Sequence, residues 1–162
     1  MTTKTAMTWT VVDSPVGELL LCGDGEALTG VYFSPFERPD GEPDDHDAVL
    51  ADTRQQLKEY FAGEREEFDL PMAPSGTGFQ LRVWAALREI PYATTTSYGE
   101  IARRLELGAR GARAVGLANG SNPIPIIVPC HRVVGADGSL TGYGGGLDRK
   151  RTLLAIESPG LF

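Results

Sequence analysis

The sequence predicts an α+β protein in two parts: a small N-terminal sheet covered by one helix, then a mostly helical C-terminal part containing a helix-turn-helix. Three observations carry this. Short β-rich segments separated by turn residues open the chain. A stretch rich in Pro, Gly, Ser and Thr, from Pro71 to Gly78, divides its 162 residues. Beyond that stretch, apolar residues recur at helical rather than strand spacing. The predicted domains are therefore 1–75 and 76–162.

In the first part, Thr8–Val12, Leu19–Cys22 and Leu28–Phe33 read as strands, parted by the turn candidates Pro15–Gly17 and Gly23–Gly25. Pro35 to Asp45, dense in prolines and acids, reads as a loop. From about Asp47, the spacing of Val49, Leu50, Leu57, Tyr60 and Phe61 predicts an amphipathic helix that ends at Gly63.

In the second part, Phe79, Val83, Trp84 and Leu87 predict a helix stopped by Pro91. Ser97-Tyr98-Gly99-Glu100 has the spacing of a capping box and opens a helix with Ile101, Ala102 and Leu105 inward. Leu107-Gly108 turns the chain, and a second helix is expected over 109–118. Two short helices joined by a glycine turn form a helix-turn-helix pattern, which an ordinary helical hairpin also fits. Ala112, Ala114 and their small neighbours let this helix lie close to a groove, while Arg110 and Arg113 project from its start.

Ile124 to Val134 reads as an apolar strand interrupted by Pro129-Cys130-His131-Arg132. Asp137-Gly138 predicts a hairpin between Val133-Val134 and Leu140-Thr141. Gly142-Tyr143-Gly144-Gly145-Gly146 follows, and it lacks the ending of a phosphate-binding loop. The last helix, 148–157, turns Leu153, Leu154 and Ile156 inward. It ends on Glu157, a poor place for a carboxylate unless a partner such as an imidazole holds it.

Composition narrows the function. No apolar run is long enough to span a membrane, and the N-terminus lacks a secretory pattern, which predicts a cytoplasmic protein. With two cysteines and two histidines, the chain offers no metal-ligand spacing. Net charge is −7 but uneven: 1–75 carries 5 Lys/Arg against 16 Asp/Glu, and 76–162 carries 10 against 6. Any nucleic-acid surface therefore belongs to the second part. Cys130 is either an inert buried thiol or a nucleophile presented on a rigid segment. On an extended backbone the His131 ring would point away from the sulfur, so contact requires a turn or a bridging water.

These residues resemble the O6-alkylguanine-DNA alkyltransferases. The resemblance runs from Phe79 to Trp84 and through Ile90-Pro91-Tyr92, Ser97 to Ala102, Ala112 to Gly116 and Asn122-Pro123. It continues in Pro129 to Val134, Tyr143 to Gly146 and Leu153 to Glu157. It implies that the first part is a ribonuclease-H-like sheet. It also implies direct repair of double-stranded DNA carrying O6-alkylguanine, with O4-alkylthymine a further candidate lesion, by a monomer that enters the minor groove and consumes no cofactor. By the same resemblance, Arg113 would fill the gap left when guanine rotates out. Tyr98 would crowd the phosphate and then protonate the base, and Asn122 would hold the turn before the reactive segment. Val133, Tyr143, Gly144, Gly145 and Gly146 would wall the pocket. Cys130 would take the alkyl group, His131 would assist through water, and Glu157 would orient His131. Arg110, Ala112, Ala114 and Asn119 are expected on the DNA-facing helix. Some members bind zinc in the first part; this chain has too few ligands there, so no metal is expected. A non-catalytic helix-turn-helix protein that binds lesions, and a cysteine hydrolase, are the rival readings.

Overall fold

The computed structural model describes residues 7–108 and 110–159. They divide into two compact units between Ser75 and Gly76.

The first unit is an antiparallel meander of β1 (Thr8–Val12), β2 (Leu19–Gly23) and β3 (Leu28–Phe33), in the order β1-β2-β3. Leu21 pairs with Thr10 on one side and Val31 on the other. The central strand is buried throughout: α1 (Ala48–Phe61) packs on the sheet and buries Leu50, Leu57 and Tyr60, while Trp9, Val11 and Phe36 pack with Leu20 and Cys22. Asp47 caps α1, its carboxylate accepting from the Leu50 amide at 2.9 Å. The acidic loop is not simply a solvated run. Asp44 accepts from the Trp9 amide through its carboxylate (3.0 Å) and donates its own amide to the Trp9 carbonyl (2.7 Å). Asp45 accepts from the Thr10 hydroxyl at 2.9 Å. Part of the acidity is thus used to cover the free edge of β1, which would otherwise be open to pairing with another chain.

The second unit begins with α2 (Gly78–Leu87), which opens on a full capping box between Thr77 and Gln80. Trp84 donates its indole N–H to the Ala118 carbonyl at 2.8 Å, tying α2 to α4 (Gly111–Gly120). Between them lies α3 (Tyr98–Arg104), preceded by β4 (Thr96–Ser97), which pairs in parallel with β5 (Val133–Val134). A 3₁₀ turn, Cys130–Arg132, leads into β5, and α5 (Leu147–Glu157) packs against that turn.

Several expectations for this unit are corrected. The first helix ends at Leu87 because the amides of Glu89 and Ile90 tighten into short bonds to Ala86 and Leu87 before Pro91 is reached. At Ser97 only half of the capping box forms: Ser97 accepts from the Glu100 amide, while the Glu100 carboxylate turns to Arg103. The second helix of the pair runs from Gly111 to Gly120, later than 109–118; Ala109 lies outside the described residues.

The segment 124–128 is a turn and not a strand. Pro123 and Pro125 have no N–H to give a ladder, and buried Ile126 sits at φ 74°, which closes the chain back on itself so that Val128 donates to the Ile124 carbonyl. A short apolar run does not by itself distinguish a strand from a buried turn. Asp137-Gly138 does turn, with Gly138 donating to Gly135, but no strand forms at Leu140-Thr141.

The helix pair depends on one close approach. A Cβ on Gly111 would stand 2.5 Å from the Leu107 Cβ and 3.0 Å from the Ala102 Cβ. Gly111→Ala is therefore expected to destabilise the protein by about 1–3 kcal/mol despite alanine's better helix propensity. The check is a lower urea midpoint with unchanged slope.

Candidate active site

Sequence geometry places Cys130 at the start of a tight turn. Its amide donates to the Val128 carbonyl at 2.8 Å, and the Arg132 amide closes back on the Pro129 carbonyl at 3.0 Å. Cys130 is only 4% exposed. Asn122 fixes the approach to it, donating to the Val128 carbonyl (2.9 Å) and accepting from the Ile124 amide (3.0 Å). Burial pushes the Cys130 thiol up from its ordinary value. The polar Asn122 and Tyr143 side chains and the charge of Lys150 pull the other way. Cys130 and Cys22 are both free thiols.

His131 is fully buried and reaches α5. Its Nε2 lies 2.6 Å from Glu157 Oε2. Glu157 also accepts from Arg132, Nε to Oε1 at 2.9 Å and Nη2 to Oε2 at 3.1 Å, and from the Ala93 amide at 3.2 Å. Arg132 Nη1 donates to the Ile90 carbonyl at 2.7 Å, and its guanidinium lies over the Tyr92 ring. Burial alone would raise the Glu157 carboxyl, but the hydrogen bonds and charges of His131 and Arg132 bring it down to about 2.

A carboxylate has only acceptors, so His131 Nε2 must carry the proton. Burial is the largest influence on His131 and pushes it down, favouring the neutral ring, aided by the Arg132 and Lys150 charges and opposed by Glu157. Its Nδ1 therefore holds a lone pair, and it is buried without a hydrogen-bond partner among the described residues. No hydrogen bond joins the Cys130 thiol to His131 among those residues.

The remaining candidate residues fall into three groups. Tyr98 rests its ring against Gly116 and shares a 2.7 Å hydrogen bond with the Thr141 hydroxyl. Tyr143 to Gly146 form a tight turn, closed by the Gly146 amide on the Tyr143 carbonyl, with Gly146 at φ 93°. A Cβ on Gly144 would come within 3.6 Å of the Gly120 carbonyl, so this turn lies beside the end of α4. Val133 is buried in β5. Arg110, at the N-cap of α4, and Arg113 are exposed, and Ala112 and Ala114 are half-buried.

Asn119 requires a correction. It is buried and donates to the Cys130 carbonyl at 3.4 Å, so it faces the reactive turn and not a groove. The reason is the later end of α4, which puts Asn119 on the inner face with Val115 and Ala118. Sequence reasoning also missed Arg132, Lys150 and Leu117. Leu117 is 72% exposed one helical turn after Arg113. Among the described residues no cluster of His, Cys, Asp or Glu could hold a metal, and no helix is long and apolar enough to cross a membrane.

Comparison with known proteins places this arrangement. Residues 7–74 match the family described as 6-O-methylguanine DNA methyltransferase, ribonuclease-like domain, and 78–159 its DNA binding domain. The chain is 49% identical over 154 residues to the methylated-DNA–protein-cysteine methyltransferase of Methanosarcina acetivorans, covering 93% of this chain and 98% of that one. It is 54% identical over 151 residues to the protein of that name from Mycobacterium tuberculosis, covering 90% and 89%. A crystal structure of Mycobacterium tuberculosis OGT in complex with DNA superimposes with a TM-score of 0.85 at 52% identity, over 93% of this chain and 92% of that one. By its sequence along both units and by its α+β fold, the chain belongs to the 6-O-methylguanine DNA methyltransferase family.

Proposed function

We propose that this protein repairs O6-alkylguanine in duplex DNA by direct reversal, moving the alkyl group irreversibly onto Cys130. The observation that carries the reading is the buried Cys130 thiol, presented on the same turn that holds the His131–Glu157 pair, with Asn122 fixing the approach to it.

A base inside a duplex is out of reach of a buried sulfur, so the target guanine must leave the stack, at a cost of a few kcal/mol. In this reading α4 lies in the minor groove, with Ala112 and Ala114 allowing close approach, Arg110 meeting phosphate and Arg113 entering the vacated stack. The flipped base sits against Val133, Tyr143 and the backbone of Gly144, Gly145 and Gly146. Cys130 gives its proton, through water, to His131 Nδ1, whose ring Glu157 holds in place. The thiolate then attacks the alkyl carbon, the carbon–O6 bond breaks, and a thioether forms. The leaving guanine takes a proton from the Tyr98 hydroxyl, and the proton held on His131 balances that loss. No cofactor takes part, and each chain acts once. The protein works as a cytoplasmic monomer, and O4-alkylthymine fits the same chemistry.

Incubation with O6-benzylguanine followed by intact-mass measurement tests this. The expected product carries one benzyl group per chain, on Cys130. An unmodified protein that still binds duplex DNA would indicate a lesion-binding module instead.

Arg113→Ala is expected to slow repair in duplex DNA by at least an order of magnitude, while reaction with the free base changes little, since only the duplex must be propped open. Single-turnover rates on both substrates decide it. Equal slowing of the two would remove Arg113 from that role. Duplex binding should also weaken as salt rises.

A further inference from the structure

Tyr98 opens α3 directly after the Ser97 cap, and its ring lies where a Cβ on Gly116 of α4 would meet it at 3.8 Å. Both ends of the side chain are therefore held, the ring by α4 and the hydroxyl by Thr141 at 2.7 Å, the usual length of a good O–H···O bond. Both residues are half-buried. Thr141 stands between β5 and α5, two residues before Tyr143, and its carbonyl accepts from Lys150 Nζ at 3.2 Å. Its β-branched side chain has few rotamers, so an anchored backbone restricts where the hydroxyl can point. Two hydroxyls hold two protons, and the bond between them uses one. With Thr141 as donor, the Tyr98 proton stays available to a third group; with Tyr98 as donor, it is spent on the threonine. A phenolate oxygen has acceptors alone, so once Tyr98 has given its proton away Thr141 must be the donor.

We propose that Thr141 is a positioning residue for alkyl transfer: its hydroxyl donates to the Tyr98 oxygen, turning the tyrosine proton toward the flipped base and steadying the phenolate left behind. The proposal rests on the reading of Tyr98 as the acid. In that step the sulfur–carbon bond forms, and the carbon–O6 bond breaks with its electron pair going to the guanine. The Tyr98 proton moves to the base, while Thr141 keeps its own. A hydrogen bond to an ionised oxygen is roughly twice as strong as one between neutral groups, so the contact tightens as the transfer proceeds. It therefore favours the transition state over the bound substrate, which is the condition for raising a rate. The same bond ties α3 to the loop that leads into Tyr143, so the acid and the proposed pocket wall keep one spacing.

The experiment is a double-mutant cycle on the single-turnover rate of benzyl transfer from free O6-benzylguanine to the whole chain, where Tyr98 has no phosphate to crowd. Wild type, Thr141→Val, Tyr98→Phe and the double variant are compared, with Thr141→Ser as the variant that keeps a hydroxyl. Thr141→Val is expected to slow transfer about tenfold in the wild type but less than about twofold in Tyr98→Phe, and Thr141→Ser to stay within about threefold of the wild type. An equal effect of Thr141→Val in both backgrounds, or none in either, would mean that the residue only shapes the loop and would overturn the proposal. Should thermal melting show that Thr141→Val does not fold, Thr141→Ala takes its place in the cycle. Were Tyr98→Phe too slow to measure, O6-benzyl-8-azaguanine decides, because its electron-poorer ring leaves more easily and depends less on the acid. A Thr141→Val deficit that shrinks with that substrate supports the proposal, and an unchanged deficit refutes it. A Tyr98→Phe as fast as the wild type would defeat the reading of Tyr98 as the acid, and the proposal with it. A wild type that takes up no benzyl group would instead defeat the reading of Cys130.

Discussion

Cys130→Ala is expected to take up no benzyl group from O6-benzylguanine at any pH, yet to keep its fold and its affinity for duplex DNA. The loss should be complete because the sulfur is the acceptor atom itself, and no neighbouring side chain offers a soft nucleophile to replace it. Cys22 is buried in a different unit, in a cluster with Trp9 and Leu20. The fold should survive because the turn is held by backbone bonds and by Asn119 and Asn122, none of which needs the thiol hydrogen. Removing one sulfur leaves a small gap, costing about 1 kcal/mol. Intact-mass analysis with a DNA-binding titration separates the outcomes. An adduct in the variant would place the acceptor elsewhere.

The second large effect concerns stability. Arg132→Met is expected to destabilise the protein by about 3–5 kcal/mol at neutral pH, because it leaves the Glu157 carboxylate buried without its guanidinium fork. The pH dependence has a definite sign. Folding brings the Glu157 carboxyl from an ordinary 4.5 down to about 2. Its contribution is therefore full above the unfolded value and is lost as pH falls from about 4.5 through about 2, a term on the order of 3 kcal/mol. Arg132→Met should lose much of that acid-sensitive term, so its stability should fall less steeply between pH 5 and pH 2. Urea midpoints across that range measure both effects. A variant as stable as the wild type at pH 7 would contradict the account of the ion pair.

Much of this structure was legible in the sequence. The three strands of the first unit sit where β-rich segments and turn residues put them, because each is bounded by local signals. The α1 helix announces itself by its cap and its spacing. What stayed hidden depends on distant partners. Arg132 and Lys150 look like ordinary surface cations until α5 folds onto the turn and the segment after α2 presents the Ile90 carbonyl. Thr96-Ser97 becomes a strand only because Val133-Val134 runs beside it. The turn at 124–128 is written in Pro123 and Pro125, but its apolar content disguised it as a strand. Asn119 was misplaced by a shift in where α4 ends. Thr77 and Gln80 did carry a local signal, the capping-box spacing, which sequence reasoning passed over. The residues that would do chemistry were visible as a motif, whereas the charges that would tune them were not.

The left-handed Ile126 has one more consequence. A β-branched residue in that conformation stores of order 1–3 kcal/mol, sustained here by burial of its side chain just ahead of Cys130. A catalyst that cycles must loosen after each event to let its product out, which sets a ceiling on how stiff its centre can be. A protein consumed by its own reaction escapes that ceiling. Its reactive turn can be as rigid as packing allows, and its working capacity is then a matter of inventory: the number of lesions removed equals the number of chains synthesised.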